Sequence, residues 1–113
     1  MITDDLERLR TAIVGCELMM YADTSTNTIL ASDCAVRLGQ EHLDALCEKA
    51  RAVFAVAPEE TILCLCKATG RRLFLRSAPG EAEVLCGVFD LTADLGAALT
   101  LAQDMLAQRE VRA

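Results

Sequence analysis

Between Gln40 and Ala57 the chain places Leu43, Leu46, Cys47, Ala50, Val53, Phe54 and Ala57 at the spacing of one face of an α-helix. Pro58 follows at once, and a proline pushes the residue before it away from helical angles. A helix with so continuous an apolar stripe has to lie on an apolar surface. Everything before and after it must therefore be read for the elements that supply one.

Ahead of this helix, Leu6, Leu9 and Ile13 repeat at helical spacing, with Asp4 as the expected N-cap, Glu7 three residues later and Gly15 as the stop. Cys16 to Ala22 is apolar and turnless, Asp23 to Asn27 has loop chemistry, and Thr28 to Ser32 is apolar and partly β-branched, which together predict a strand, a turn and a second strand. After Pro58, Thr61 to Lys67 predicts a strand, Ala68 to Arg71 a hairpin turn containing Gly70, and Arg72 to Ser77 its partner strand. A turn at Pro79 and Gly80 leads to a last strand over Ala82 to Asp90. The chain then closes on Leu95, Ala98, Leu99, Ala102, Met105 and Leu106, a helical stripe with Thr92 as its expected N-cap. The order helix-strand-strand-helix-strand-strand-strand-helix groups the strands as a hairpin and a meander. The expected fold class is α/β: a single-domain α/β/α sandwich, residues 1–113, with a five-stranded antiparallel sheet between helices.

Composition narrows the function classes. The 113 residues suit one core, and 53% hydrophobic with 25% charged residues is neither a disordered nor a membrane-like mixture. The apolar runs are shorter than the roughly 18 residues a membrane span needs. Asp4, Asp5 and Glu7 stand where a signal peptide carries positive charge, so the expected location is the cytoplasm. A net charge of -6 has the wrong sign for phosphate neutralisation, which disfavours nucleic acid. Six cysteines sit inside apolar patterns and read as reduced thiols rather than a disulfide framework. Cys64 and Cys66 do not form a CxxC pair, and the expectation is no metal and no cofactor.

Catalytic equipment is not evident. The lone His42 has no Ser, Cys or Asp in a nucleophile motif and reads as a surface histidine, and Gly39 and Gly70 are isolated from any phosphate-binding pattern. Cys64 and Cys66 share a strand face, where they are either apolar filler or redox-sensing thiols able to meet Cys86 or a thiol of the central helix. Lys67, Arg71, Arg72 and Arg76 concentrate positive charge on one hairpin of an acidic protein. They are either solvated turn charges or a surface that steers an acidic partner.

The element order, together with LERLR in the first helix, TILASD, ATGRRLFLR and Asp94-Leu95-Gly96 opening the last helix, resembles the roadblock/dynein-light-chain domain, a relative of profilin-like folds. Thr24 to Asn27 replaces the short Asp-Gly type turn common in that family. The resemblance implies a non-catalytic regulatory or scaffold protein that homodimerises and binds a small Ras-like GTPase, in some relatives as a GTPase-activating component. It also implies a dimer in which third strands pair at the sheet edge and second helices pack together. The residues fit such a dimer, because an edge strand as apolar as Ile62, Leu63, Cys64 and Leu65 invites aggregation unless covered. The central helix also carries a second face, Ala45, Lys49, Ala52 and Val56, apart from its main stripe; the alternative is that its alanines are simply good helix formers on an exposed surface. If the chain activates a GTPase, Arg71, Arg72 or Arg76 are the candidates for charge stabilisation. The rival reading is a small-ligand-sensing module with a pocket between sheet and helices, lined by Met20 and Tyr21.

Overall fold

The computed structural model describes the backbone of residues 2–112 and the side chains of residues 2–109. Helix α1 spans Ile2–Ala12, strands β1 and β2 span Cys16–Asp23 and Thr28–Cys34, and helix α2 spans Gln40–Val56. Strands β3, β4 and β5 follow at Ile62–Lys67, Gly70–Leu75 and Glu83–Phe89, and helix α3 closes at Leu95–Arg112. The strands form one antiparallel sheet in the order β2-β1-β5-β4-β3. The hairpin and the meander are thus joined through the central pair of β1 and β5, and β2 and β3 become the two edges.

Strand alternation splits the core into two layers. Met19, Tyr21, Leu73, Leu75, Leu85 and Phe89 pack against Leu6, Leu9 and Ile13 at the α1 end and against Ala98, Ala102, Met105 and Leu106 of α3. Leu18, Met20, Ala22, Phe74, Val84 and Cys86 face the other way, onto Leu43, Leu46, Cys47, Ala50 and Phe54 of α2. The β1–β5 register shifts between Cys16 and Leu18, and that bulge turns Cys16 into the same layer as Met19 despite its even number. Gly15 makes the entry to β1 possible. Its φ of 86° favours glycine, and a Cβ there would lie 2.4 Å from the Asp90 carboxylate.

Several local expectations shift. Helix α1 already runs from Ile2, so Asp4 lies in its first turn rather than capping it. Helix α3 is capped by Asp94, whose carboxylate accepts the Ala97 N–H at 3.1 Å, not by Thr92. Thr92 instead donates its N–H to Asp90 across 2.8 Å, and a nearer side-chain oxygen captures it before the helix begins. The β1–β2 turn is held by the Asp23 carboxylate, which accepts the Ser25 N–H at 2.9 Å, and by Asn27 at φ 54°. Because Lys67 pairs with Gly70, the β3–β4 turn is only Ala68 and Thr69, and Arg71 lies inside β4 instead of in the turn.

One helix cannot cover the α2 face. Five strands at about 4.8 Å spacing make a sheet roughly 24 Å wide, whereas a helix with side chains is about 10–12 Å across. The opposite face has α1 and α3 to cover it. Helix α2 lies mainly over β2, β5 and β1 and reaches β4 at Phe74, leaving Leu63 and Leu65 of β3 only half-buried at the margin of this layer. Among the described residues, no helix is long and apolar enough to cross a membrane.

Candidate functional site

The uncovered part of the α2 face opens into a cleft of about 490 Å³. Its walls are His42, Ala45, Leu46 and Lys49 from α2, Val36 and Leu38 from the segment before α2, and Glu17, Leu18, Lys67, Arg72 and Val88 from four strands. Strand alternation explains the composition. Residues 63, 65 and 67 of β3 point to this side, as do residues 72 and 74 of β4 and Arg76 just beyond it, so apolar and basic side chains share one surface.

The cleft is cationic at its rim and apolar at its floor. Among the described residues the ion pairs are Arg8 with Asp5, Arg10 with Asp33 and Arg51 with Glu48, and none of them engages Lys49, Lys67 or Arg72. In a protein of net charge -6, three cations around one concavity, with Glu17 as the carboxylate among the lining residues, make a local field opposite to that of the whole molecule. Such a surface takes an acidic group with an apolar neighbour. It has no nucleophile beside a base, and among the described residues no group of three or more His, Cys, Asp or Glu side chains is placed to hold a metal ion.

The four hairpin cations separate. Lys67 and Arg72 line the cleft, but Arg71 points to the opposite layer, where it donates to the Asp90 carbonyl at 3.1 Å and the Ala93 carbonyl at 2.6 Å. Arg76 is 8% exposed. It donates to the carbonyls of Glu60 at 2.9 Å and Pro58 at 2.8 Å, and its guanidinium lies 4.1 Å from the centroid of the Phe54 ring. It fastens the α2–β3 loop to β4, which is a structural role and corrects the expectation of an accessible cation. Lys49 and Ala45, on the outer face of α2, also line the cleft, as do Glu17, Val36, Leu38 and Val88, which sequence reading did not single out. The available signal was Glu17, the charged residue inside an otherwise apolar strand.

The remaining candidates line the cleft or continue beside it. Ala45, Lys49, Ala52 and Val56 are all exposed along α2, with Val56 at 87%. In β3, Leu63 and Leu65 are half-buried against the α2 layer and Ile62 against the other, while Cys64 is exposed. On its outer side β3 pairs with no strand of the sheet. Met20 and Tyr21 are packed into the two core layers and line no part of the cleft.

Four of the cysteines are held as thiols by burial. Burial pushes Cys16 up to about 11 and raises Cys34, Cys47 and Cys86 as well, so none of these is a ready thiolate. A thiol that stays protonated in the fold but ionises in the unfolded chain makes the unfolded state lose its proton first. Stability from Cys16 is complete below about 9 and is lost as pH rises toward about 11. Urea unfolding at pH 7, 9 and 10.5 is expected to show a falling midpoint, with a shallower fall in Cys16→Ala; identical slopes for the two proteins refute the assignment.

At the level of sequence, no family model and no curated protein matches the chain. Comparison of the folded chain gives a different result. A roadblock/LC7 domain from Streptomyces avermitilis superposes with a TM-score of 0.83 over 97% of this chain and 95% of that one, at 7% identity. The chain has the roadblock/LC7 fold. Other proteins of this architecture are similar too: MglB of Myxococcus xanthus, with TM-score 0.75 and 14% identity over 97% of this chain and 95% of that one, and the gliding protein MglB of Thermus thermophilus, with TM-score 0.72 and 19% identity over 97% and 88%. These roadblock structures share almost no sequence with this chain. Layer packing tolerates such divergence because it asks only for apolar volume at the right periodicity.

Proposed function

We propose that this protein is a non-catalytic regulatory or scaffold subunit, acting in the cytoplasm, that homodimerises through α2 and β3 and binds a small Ras-like GTPase as the assembled dimer. The observation that carries this reading is the incomplete cover of one sheet face. A strand edge at β3 and an exposed small-residue face on α2 flank the same cleft, and among the described residues no strand pairs with the one and no helix covers the other. Antiparallel β3–β3 pairing about a two-fold axis perpendicular to the sheet would bring both copies of α2 to one face and satisfy edge and helix together. The fold is shared with MglB, and one solved MglB structure is described as having a tetrameric arrangement.

The cleft cations Lys49, Lys67 and Arg72 are the residues proposed to meet the GTPase, by steering an acidic segment toward the dimer. The test is capture of GTP- and GDP-loaded Ras-like GTPases from native extract on immobilised protein, with Lys67→Glu/Arg72→Glu alongside. Capture of a GTPase in one nucleotide state, reduced at least about 10-fold by the double variant, is the expected result. Capture of none in either state defeats the GTPase reading. The same cleft supports a second reading as a sensor of small anionic ligands, since its volume falls within the range of ligand sites.

A further inference from the structure

Of the six cysteines, Cys64 and Cys66 alone are exposed, and they stand two residues apart on the strand that forms the open edge. With Ile62 they point to the α1 and α3 side of the sheet, away from the cleft, whereas Leu63 and Leu65 point to the α2 side. The two thiols are in hydrogen-bonding contact with each other. On β4 the residue opposite Cys64 is Leu73 and the residue opposite Cys66 is Arg71, so the ground beside the two sulfurs is apolar at one end and cationic at the other.

Two thiols so placed can hold one ion between them without any movement of the backbone. Side chains two residues apart on a strand have Cβ atoms about 6.6 Å apart, and each sulfur swings one bond out from there by rotation about χ1. A linear sulfur–metal–sulfur unit with metal–thiolate bonds of about 2.3 Å spans about 4.6 Å, between the Cβ spacing and the sulfur contact already present. Among the described residues no group of three or more His, Cys, Asp or Glu side chains is placed to hold a metal ion. Two soft ligands with no third select a soft monovalent ion that accepts two-coordination over Zn²⁺, whose structural sites take four.

We propose that Cys64 and Cys66 of a single chain bind one Cu(I) ion between their two sulfurs on the exposed face of β3. On binding, two S–H groups release two protons to solvent as two Cu–S bonds form; the copper stays Cu(I) and no electron is transferred. The product, two thiolates around a monovalent ion, carries a single negative charge. Arg71 suits that charge: its Nη2 donates to the Asp90 and Ala93 carbonyls, but its Nε is buried and has no hydrogen-bond partner. The same guanidinium repels a free dication. Without metal, burial and then the hydrogen bond with Cys66 raise the Cys64 thiol, and the Arg71 charge works against them. Pairing of β3 with a second strand would use backbone groups and leave these side chains on their face, so the site does not depend on the dimer.

The test offers the reduced full chain, without oxygen, Cu(I) held by bicinchoninic acid, and follows loss of the coloured chelator complex, proton release and copper X-ray absorption. Transfer of one Cu(I) per chain is expected, with release of about two protons and a shell of two sulfur neighbours. Cys64→Ser and Cys66→Ser, both at exposed positions, should each weaken binding by at least about 100-fold while keeping the wild-type circular dichroism. Cys34→Ser should bind as the wild type does, and equimolar Zn²⁺ should not displace the copper. No transfer from the chelator, uptake that survives Cys64→Ser, loss of uptake in Cys34→Ser, or displacement by Zn²⁺ overturns the site. A shell of three or more sulfurs overturns it as well, because one chain offers two at this place. Sedimentation velocity on the same samples reads the dimer separately: a monomer that takes up copper as expected defeats the dimer and upholds this site.

Discussion

Replacing Phe74 with alanine is expected to lower the stability of the fold by about 3–5 kcal/mol. Phe74 is fully buried on β4, paired with Leu63 on the edge side and Cys86 on the inner side, and it belongs to the layer that carries α2. At the margin of the cover that α2 gives, it is a large side chain that ties β4 to the helix layer. Its neighbours Leu73 and Leu75 point to the other layer and cannot move in to fill the space. For a domain of this size the loss corresponds to a fall in Tm of more than about 10 °C. Urea unfolding of the two proteins side by side measures it, and a loss below about 1 kcal/mol would mean that the surrounding wall collapses onto the site. Leu63→Ala, half-buried at the edge, is expected to cost clearly less.

Ala52→Arg is expected to convert the proposed dimer to a monomer while leaving the fold unchanged. Ala52 is exposed in the middle of the outer face of α2, between Lys49 and Val56, so arginine costs little in helix propensity and disturbs no intramolecular contact. Against a second helix the same side chain brings bulk and an unpaired positive charge, next to a lysine on each copy. An unpaired charge buried at such a contact weakens association by on the order of 100-fold or more. Sedimentation velocity at micromolar concentration reads the outcome. A wild-type monomer under those conditions refutes the dimer, and a variant that remains as dimeric as the wild type moves the interface away from α2. Thermal melting is the companion measurement: the variant's Tm should become independent of protein concentration, whereas that of the wild type rises with it.

Most of the secondary structure was legible because each element carries its own period. Gln40 to Val56 needed nothing beyond its apolar stripe and Pro58. The errors fall where two local solutions compete at an element's end. Thr92 was expected to cap α3, and the structure uses Asp94 because Asp90 already holds Thr92. The β3–β4 turn was read as four residues because Gly70 drew attention, yet Gly70 is the first residue of β4 and sits against the Phe89 carbonyl, where a Cβ would come within 2.5 Å. That small shift has a functional consequence. It places Arg71 on one face of the sheet and Arg72 on the other, so a group of cations adjacent in sequence becomes two different sites.

The candidate site was legible only in part. The exposed face of α2 and the edge position of β3 followed from periodicity and from the family resemblance, but the cleft did not, because its lining residues come from every strand except β2. Arg76 looks like Arg72 in sequence. Only the packing of Phe54 and the free carbonyls of Pro58 and Glu60 make the first a buried clasp and leave the second in a cleft.

The sequence by itself determined the kind and order of the elements and the two-layered apolar periodicity, since these depend on residues near one another along the chain. Only the tertiary structure decided which face of the sheet is left open. That outcome depends on two helices covering one side and one helix the other, a matter of widths and crossings over distances no local pattern encodes. The helix that first constrained the chain is therefore also the one whose limited width leaves the edge strand β3 and the cationic cleft open.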